Sequence, residues 1–321
     1  GGRGRAREGW MTARPSRVIL LGPQRPRASV GAVVAGLAAG PAALISAGWQ
    51  EWETDDAHVL DALGHGAFNL TLYGRAETVW QEDPELAQGH RSLQEAVRVL
   101  RRAYNVRLAH AMDAWIDLQA LGGDAAVLDP ERRDALDAVR ALDEHHGRHL
   151  AELREAFYRR FDPLMRTSVA RQREEIRRAL DGVGVVVVEG GHVPALLNRL
   201  RLFGLDELLA DKAVVACSGG AMSLARRVVL FHDSPPWGPG HAEMGEIGLG
   251  LYPGVVALPH GSARLRLDDP GRVGRLAARF APDTLLVLDA GSRADWDGRW
   301  HSHGTVRLTA GGTTEPWRGA A

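Results

Sequence analysis

The stretch AVVACSGGAMSLA (Ala213–Ala225) decides the fold. Four apolar residues with no polar alternation suit a strand buried on both faces. Ser218-Gly219-Gly220 then forms a tight turn, and Ala221 to Ala225 continue as a helix. A strand, a sharp turn and a helix in that order present the turn residue, Ser218, as a nucleophile at the edge of an α/β sheet. Such an elbow is strained and packs closely, so the positions two before and two after the nucleophile must be small; here they are Ala216 and Gly220. Cys217 is the rival nucleophile, but its preceding partner would be the bulky, β-branched Val215.

Similar apolar runs lie on either side: Val18 to Leu21, Ala42 to Ser46, Val185 to Val188, Val228 to Phe231, Val255 to Leu258 and Thr284 to Leu288. Helical patterns such as Pro194 to Phe203 and Pro270 to Phe280 separate several of them. This alternation predicts an α/β fold, a mostly parallel sheet flanked by helices. The middle of the chain has no convincing strand. Leu93, Val97, Leu100, Tyr104, Leu108, Ala111, Trp115 and Leu118 follow spacings of three and four, which is one helical stripe, and Gly122-Gly123 stops it. Asp129-Pro130 and Asp162-Pro163 have the form of an N-cap followed by Pro, and predict two further helices.

The expected organisation is therefore a disordered extension at 1–15, a first α/β part at 16–91, a long helical insertion at 92–181, a catalytic α/β part at 182–311 and a disordered tail at 312–321. The insertion suits either a lid or a dimerisation arm, which would make the protein a homodimer.

Composition bounds the function. The 321 residues carry 39 basic and 40 acidic side chains, a balance that points away from nucleic acid. Lys212 is the sole lysine, and that bias is given no functional weight. The single cysteine, Cys217, permits no internal disulfide and fits a reducing, cytoplasmic setting. The opening GGRGRAREGW lacks an apolar h-region, and no run of 18 uncharged apolar residues occurs, so neither a signal peptide nor a membrane span is expected. Met11 is a candidate start.

In open α/β sheets, ligands bind outside the carboxyl ends of the strands. Four predicted strands end in Glu189-Gly190-Gly191-His192, Cys217-Ser218, Pro259-His260 and Asp289. A hydroxyl, an imidazole, a carboxylate and a glycine loop are what serine acyl chemistry needs: nucleophile, base, orienting acid and backbone donors for the oxyanion. Ser218, His260 and Asp289 are the catalytic candidates, with Gly219 and Gly190 or Gly191 as oxyanion donors. Taken singly, His260 reads as a surface histidine and Asp289 as a turn-capping acid; the combination carries the argument. His232, Asp233, His241 and Glu243 flank a Pro-rich segment expected to rim the site and are reserve candidates. Glu144, His145, His149 and Glu152 have metal-ligand types at helical spacing, but read better as a solvated helix face. No metal or cofactor is called for.

These residues resemble the serine peptidase family of dipeptidase E and cyanophycinase, whose fold is like that of class I glutamine amidotransferases; the likeness covers about Val183 to Ser292. The family's elbow reads Gly-x-Ser-Ala-Gly-Ala, and Ala216-Cys217-Ser218-Gly219-Gly220-Ala221 matches it with two small-for-small changes. GLGLYPGVVALPHGSARLR (Gly248–Arg266) has the cyanophycinase-like Gly-Leu-Gly-Leu-x-Pro-Gly, then the catalytic histidine and arginines four and six residues later. The resemblance thus implies His260 as base, with Arg264 and Arg266 near the substrate. The family's Gly-Gly-Asn/Asp-Gln/Thr loop is matched by Gly190-Gly191-His192-Val193 only in its glycines. Its acid is usually Glu in Asp-Glu-Gly-Thr; here Asp289-Ala290-Gly291-Ser292 occupies the place. The implied activity is a serine-type peptidase or amidohydrolase acting on a short or isopeptide-like amide. The alternative is an α/β scaffold that has lost catalysis and binds partners through the helical hairpin.

Overall fold

The computed structural model describes residues 15–25, 28–37, 40–233 and 240–319. It is α/β, with a mostly parallel central sheet flanked by helices. That sheet has seven strands. β1 (Arg17–Leu21), β2 (Ala42–Ile45), β3 (Phe68–Asn69), β4 (Val185–Val188) and β5 (Ala213–Cys217) are parallel. Two antiparallel strands complete one edge, giving the order β11-β10-β1-β5-β4-β2-β3. Of these, β10 spans Arg293–Trp296 and β11 spans Trp300–His303. The strand bearing the elbow is therefore central, with Ser218 at its carboxyl end.

The absence of polar alternation in the parallel strands has its cause in two cores. Successive side chains on a strand point to opposite faces. Val18, Leu20, Val186, Val188, Val214 and Ala216 face one core, while Ile19, Leu21, Val185, Val187, Val215 and Cys217 face the other. The second core is closed by α1 (Val30–Ala35) and α2 (Ala57–Leu63), through Val30, Val33, Val34 and Val59. The first is closed by elements that include α3 (Leu72–Glu82) and the second half of the chain.

The apolar runs all form strands, but not all belong to one sheet. β6 (Arg227–Leu230) pairs antiparallel with β7 (Glu243–Ile247) in a two-stranded ribbon. β8 (Val255–Pro259) and β9 (Thr284–Leu288) are parallel neighbours in a four-stranded sheet, completed by β12 (Val306–Leu308) and β13 (Thr314–Pro316). Pairing depends on long-range packing that a local apolar run does not encode. β13 and the buried Trp317 also place 314–317 inside the fold, where a disordered tail was expected. The expected extension at 1–15 lies outside the described residues, except Pro15.

The helical insertion begins earlier than its apolar stripe suggested. α4 (Pro84–Ala120) starts at an N-cap, Asp83, whose carboxylate accepts the Leu86 N–H at 3.0 Å. α5 (Ala125–Phe161) is capped by Asp124, so Pro130 lies inside the helix and does not open one. Asp162 ends α5 in a left-handed conformation; Pro163 opens a short 3-10 turn before α6 (Thr167–Ala179). Each long helix has 37 residues, about 55 Å at 1.5 Å per residue.

Buried charges clamp this hairpin to the rest of the protein. Arg279, on the helix Pro270–Phe280, bonds both oxygens of Asp143 at 2.7 Å and the Tyr104 hydroxyl at 2.9 Å. Arg154 of α5 pairs with the buried Glu246 of β7. Among the described residues, no helix is long and apolar enough to cross a membrane.

Candidate active site

Ser218 follows the central strand with φ 51° and ψ −118°, outside the ordinary range for an L-residue. Its own N–H is taken by Leu21 O at 3.0 Å, and a short helix, Gly219–Leu224, starts at the next residue. The small residue at 220 is a steric requirement: a Cβ there would lie 2.2 Å from Val188 O. Cys217 points into the core and is fully buried. Burial, the nearby Glu189 carboxylate and a hydrogen bond to it push its thiol well above the usual range. Such a thiol is a poor nucleophile.

His260 ends β8 in a left-handed conformation, φ 56° and ψ 30°, held by its N–H to Leu288 O at 3.1 Å. It therefore comes from a different sheet than Ser218. Ser218, His260, Gly190, Gly191 and Glu189 line one cavity of about 450 Å³. Burial, followed by the Arg264 charge, depresses the His260 pKa below its ordinary 6.5, while Asp289 opposes the shift. Asp289 follows β9, and its Oδ1 accepts the Ser262 N–H at 3.2 Å. Among the described residues, no hydrogen bond joins the Ser218 hydroxyl to the His260 ring, or that ring to Asp289. Catalytic hydrogen bonds are often long in the free enzyme and tighten around substrate.

The glycine loop comes within touching distance of the elbow. A Cβ on Gly190 would stand 2.7 Å from the Gly219 N and 3.2 Å from the Ser218 Cβ. The Gly190 N–H is turned to the Glu189 carboxylate, whereas among the described residues those of Gly191 and Gly219 meet no acceptor. The latter pair are the backbone donors that remain open to an oxyanion.

Three other candidates stand apart from the cavity lining. His192 caps the helix Val193–Leu202, its Nδ1 accepting the Ala195 N–H at 3.2 Å. Arg264 is exposed and acts on His260 through its charge. Arg266 is exposed beside Asp269. The reserve residues are engaged elsewhere: Asp233 by Arg272, Glu243 by Arg101 and His241 by Asp113. His232 is half-buried and is likewise absent from the lining. Most of the Pro-rich segment, 234–239, lies outside the described residues. Glu144, His145 and Glu152 are exposed on α5, and His149 between them is half-buried.

The opposite wall comes from residues 23–62, which no motif had marked. Trp49 stacks on His58 with ring centres 5.7 Å apart, and Arg25 reaches His58 Nε2 at 2.8 Å. Val30, Val59 and Ala62 supply an apolar side, and Asp55 stands at the margin. No residue of α4 or α5 lines this cavity.

No family model and no curated protein matches the sequence. Among solved structures, the fold is similar to the crystal structure of a peptidase from an acI-B1 Actinobacterium. The identity is 12% and the TM-score 0.44, over 95% of this chain and 98% of that one.

Proposed function

We propose that the protein is a serine hydrolase, a peptidase that cleaves a short peptide or isopeptide-like amide through an acyl-enzyme. The single observation that carries this reading is the strained Ser218 at a strand-to-helix elbow, opening into the same cavity as His260. Ser218 Oγ attacks the carbonyl carbon while His260 takes its proton. The Gly219 N–H, with that of Gly191, receives the oxyanion. His260 then returns the proton to the leaving amine, and water repeats the sequence on the ester to release the acid. Asp289, through its charge on the imidazole, favours the imidazolium that forms between these steps. This mechanism is that of the dipeptidase E and cyanophycinase type, with Asp289 in the acid's place.

A panel of short α- and β-linked peptides, followed by amine release, tests the reading. Turnover that disappears in both Ser218→Ala and His260→Ala supports it, and turnover that survives either change refutes it. The second reading, a scaffold without catalysis, draws on the use of Asp289 by the Ser262 N–H. Under that reading no peptide is cleaved.

A further inference from the structure

Trp52 is 73% exposed, while every other Trp, Tyr and Phe among the described residues is buried or half-buried. It lines the cavity of Ser218 and His260, together with Trp49. The backbone that carries both is strained. Ala47–Trp52 is a 3-10 segment broken at Gln50, whose φ of 59° and ψ of −123° are close to those of Ser218. A non-glycine residue is costly to hold there, and such strain persists only where its surroundings fix it. Here Glu51 Oε1 accepts the Tyr73 hydroxyl at 2.8 Å, and Glu53 O accepts the Ser46 hydroxyl and the Asn69 amide, each at 3.0 Å. Trp52 lies between these two anchors, so its exposure is built into the loop. Trp49, before the kink, is stacked on His58, and its Cδ1 lies 3.1 Å from where a Cβ on Gly191 would stand. The strained loop thus sets two indoles in the wall of one cavity, one of them against the glycine loop.

We propose that Trp52 is the platform of a subsite for an aromatic side chain of the substrate. An indole face attracts a second ring in offset-stacked or edge-to-face contact, beyond the gain from burial alone. A platform already fixed in place loses little freedom when the ring arrives. Ala28 and Ala62, both exposed in the same lining, add methyl groups to that wall. Charges of both signs also line the cavity, Arg25 and His58 against the exposed Asp55, so neither a cation nor an anion is singled out. This inference rests on the hydrolase reading only in naming the bound group a substrate.

The test is calorimetry on the full-length Ser218→Ala protein, which lacks the proposed nucleophile, with the N-acetyl amides of phenylalanine, alanine, arginine and aspartate. The phenyl probe should bind about tenfold or more tightly than the methyl probe. Trp52→Ala should remove most of that preference, and Trp52→Phe should restore it. The side chain is exposed, so neither change threatens the fold. Equal affinities, no binding of either neutral probe, or tighter binding of the arginine or aspartate probe overturns the proposal. So does a preference that survives Trp52→Ala or stays lost in Trp52→Phe. Release of p-nitrophenol from p-nitrophenyl acetate by the unaltered protein reports separately on Ser218. An inert protein that still prefers the phenyl probe keeps the subsite and rejects the hydrolase; an active one without that preference rejects the subsite alone.

Discussion

Replacing Gly190 by Ala should disable the oxyanion site while leaving the nucleophile and base in place. The added Cβ would lie 2.7 Å from the Gly219 N, closer than real Cβ contacts come, and 3.2 Å from both the Cys217 O and the Ser218 Cβ. All three are anchored in the elbow, so the loop and the elbow must part by several tenths of an ångström. Overpacking of this kind costs about 1–3 kcal/mol of stability. Loss of one oxyanion donor costs about a hundredfold or more in kcat. The assay is p-nitrophenyl ester hydrolysis with a thermal melt alongside, and Gly122→Ala as the control. Gly122 has nothing within 4 Å of a built Cβ, so its variant should match the parent. A Gly190→Ala protein that is folded and retains kcat within about threefold would refute the oxyanion assignment.

The acid limb of the pH profile should lie below the ordinary histidine value, because burial and Arg264 disfavour the His260 imidazolium. Arg264→Ala should move that limb to higher pH and Asp289→Asn to lower pH; steady-state rates against pH read both, and shifts of the opposite sign would contradict the assignment. Arg279→Met strands Asp143 in the buried clamp between hairpin and sheet and should cost about 3–5 kcal/mol, measured by urea unfolding. His146, stacked on Tyr104 at 4.1 Å with neither ring nitrogen bonded among the described residues, has its pKa lowered from 6.5 to about 4 by burial. The unfolded chain takes up that proton first, so stability is lost as pH falls from about 6.5 towards about 4. His146→Phe should flatten that part of the stability curve; an unchanged slope would show that His146 is not its source.

The strands were legible in the sequence because burial on both faces leaves an unbroken apolar run, as in Val185–Val188. The elbow was legible because sterics confine the residues around Ser218 to small ones. What a local pattern does not encode is pairing, so the separate sheets of Ser218 and His260 emerged only with the structure. Asp129-Pro130 misled because a missing N–H is tolerated within a helix that tertiary contacts hold, and Asp124 supplies the true cap. β13 escaped notice because all three of its residues are exposed and carry no apolar signal. The wall made by Trp49, His58 and Arg25 had no motif; only its approach across the sheet end brings it to residues 189–260.

The most direct test of the account is covalent labelling with a fluorophosphonate followed by peptide mapping. One adduct is expected, on Ser218, lost in Ser218→Ala and slowed in His260→Ala. An adduct on another residue, or equal labelling of the parent and Ser218→Ala proteins, would contradict it.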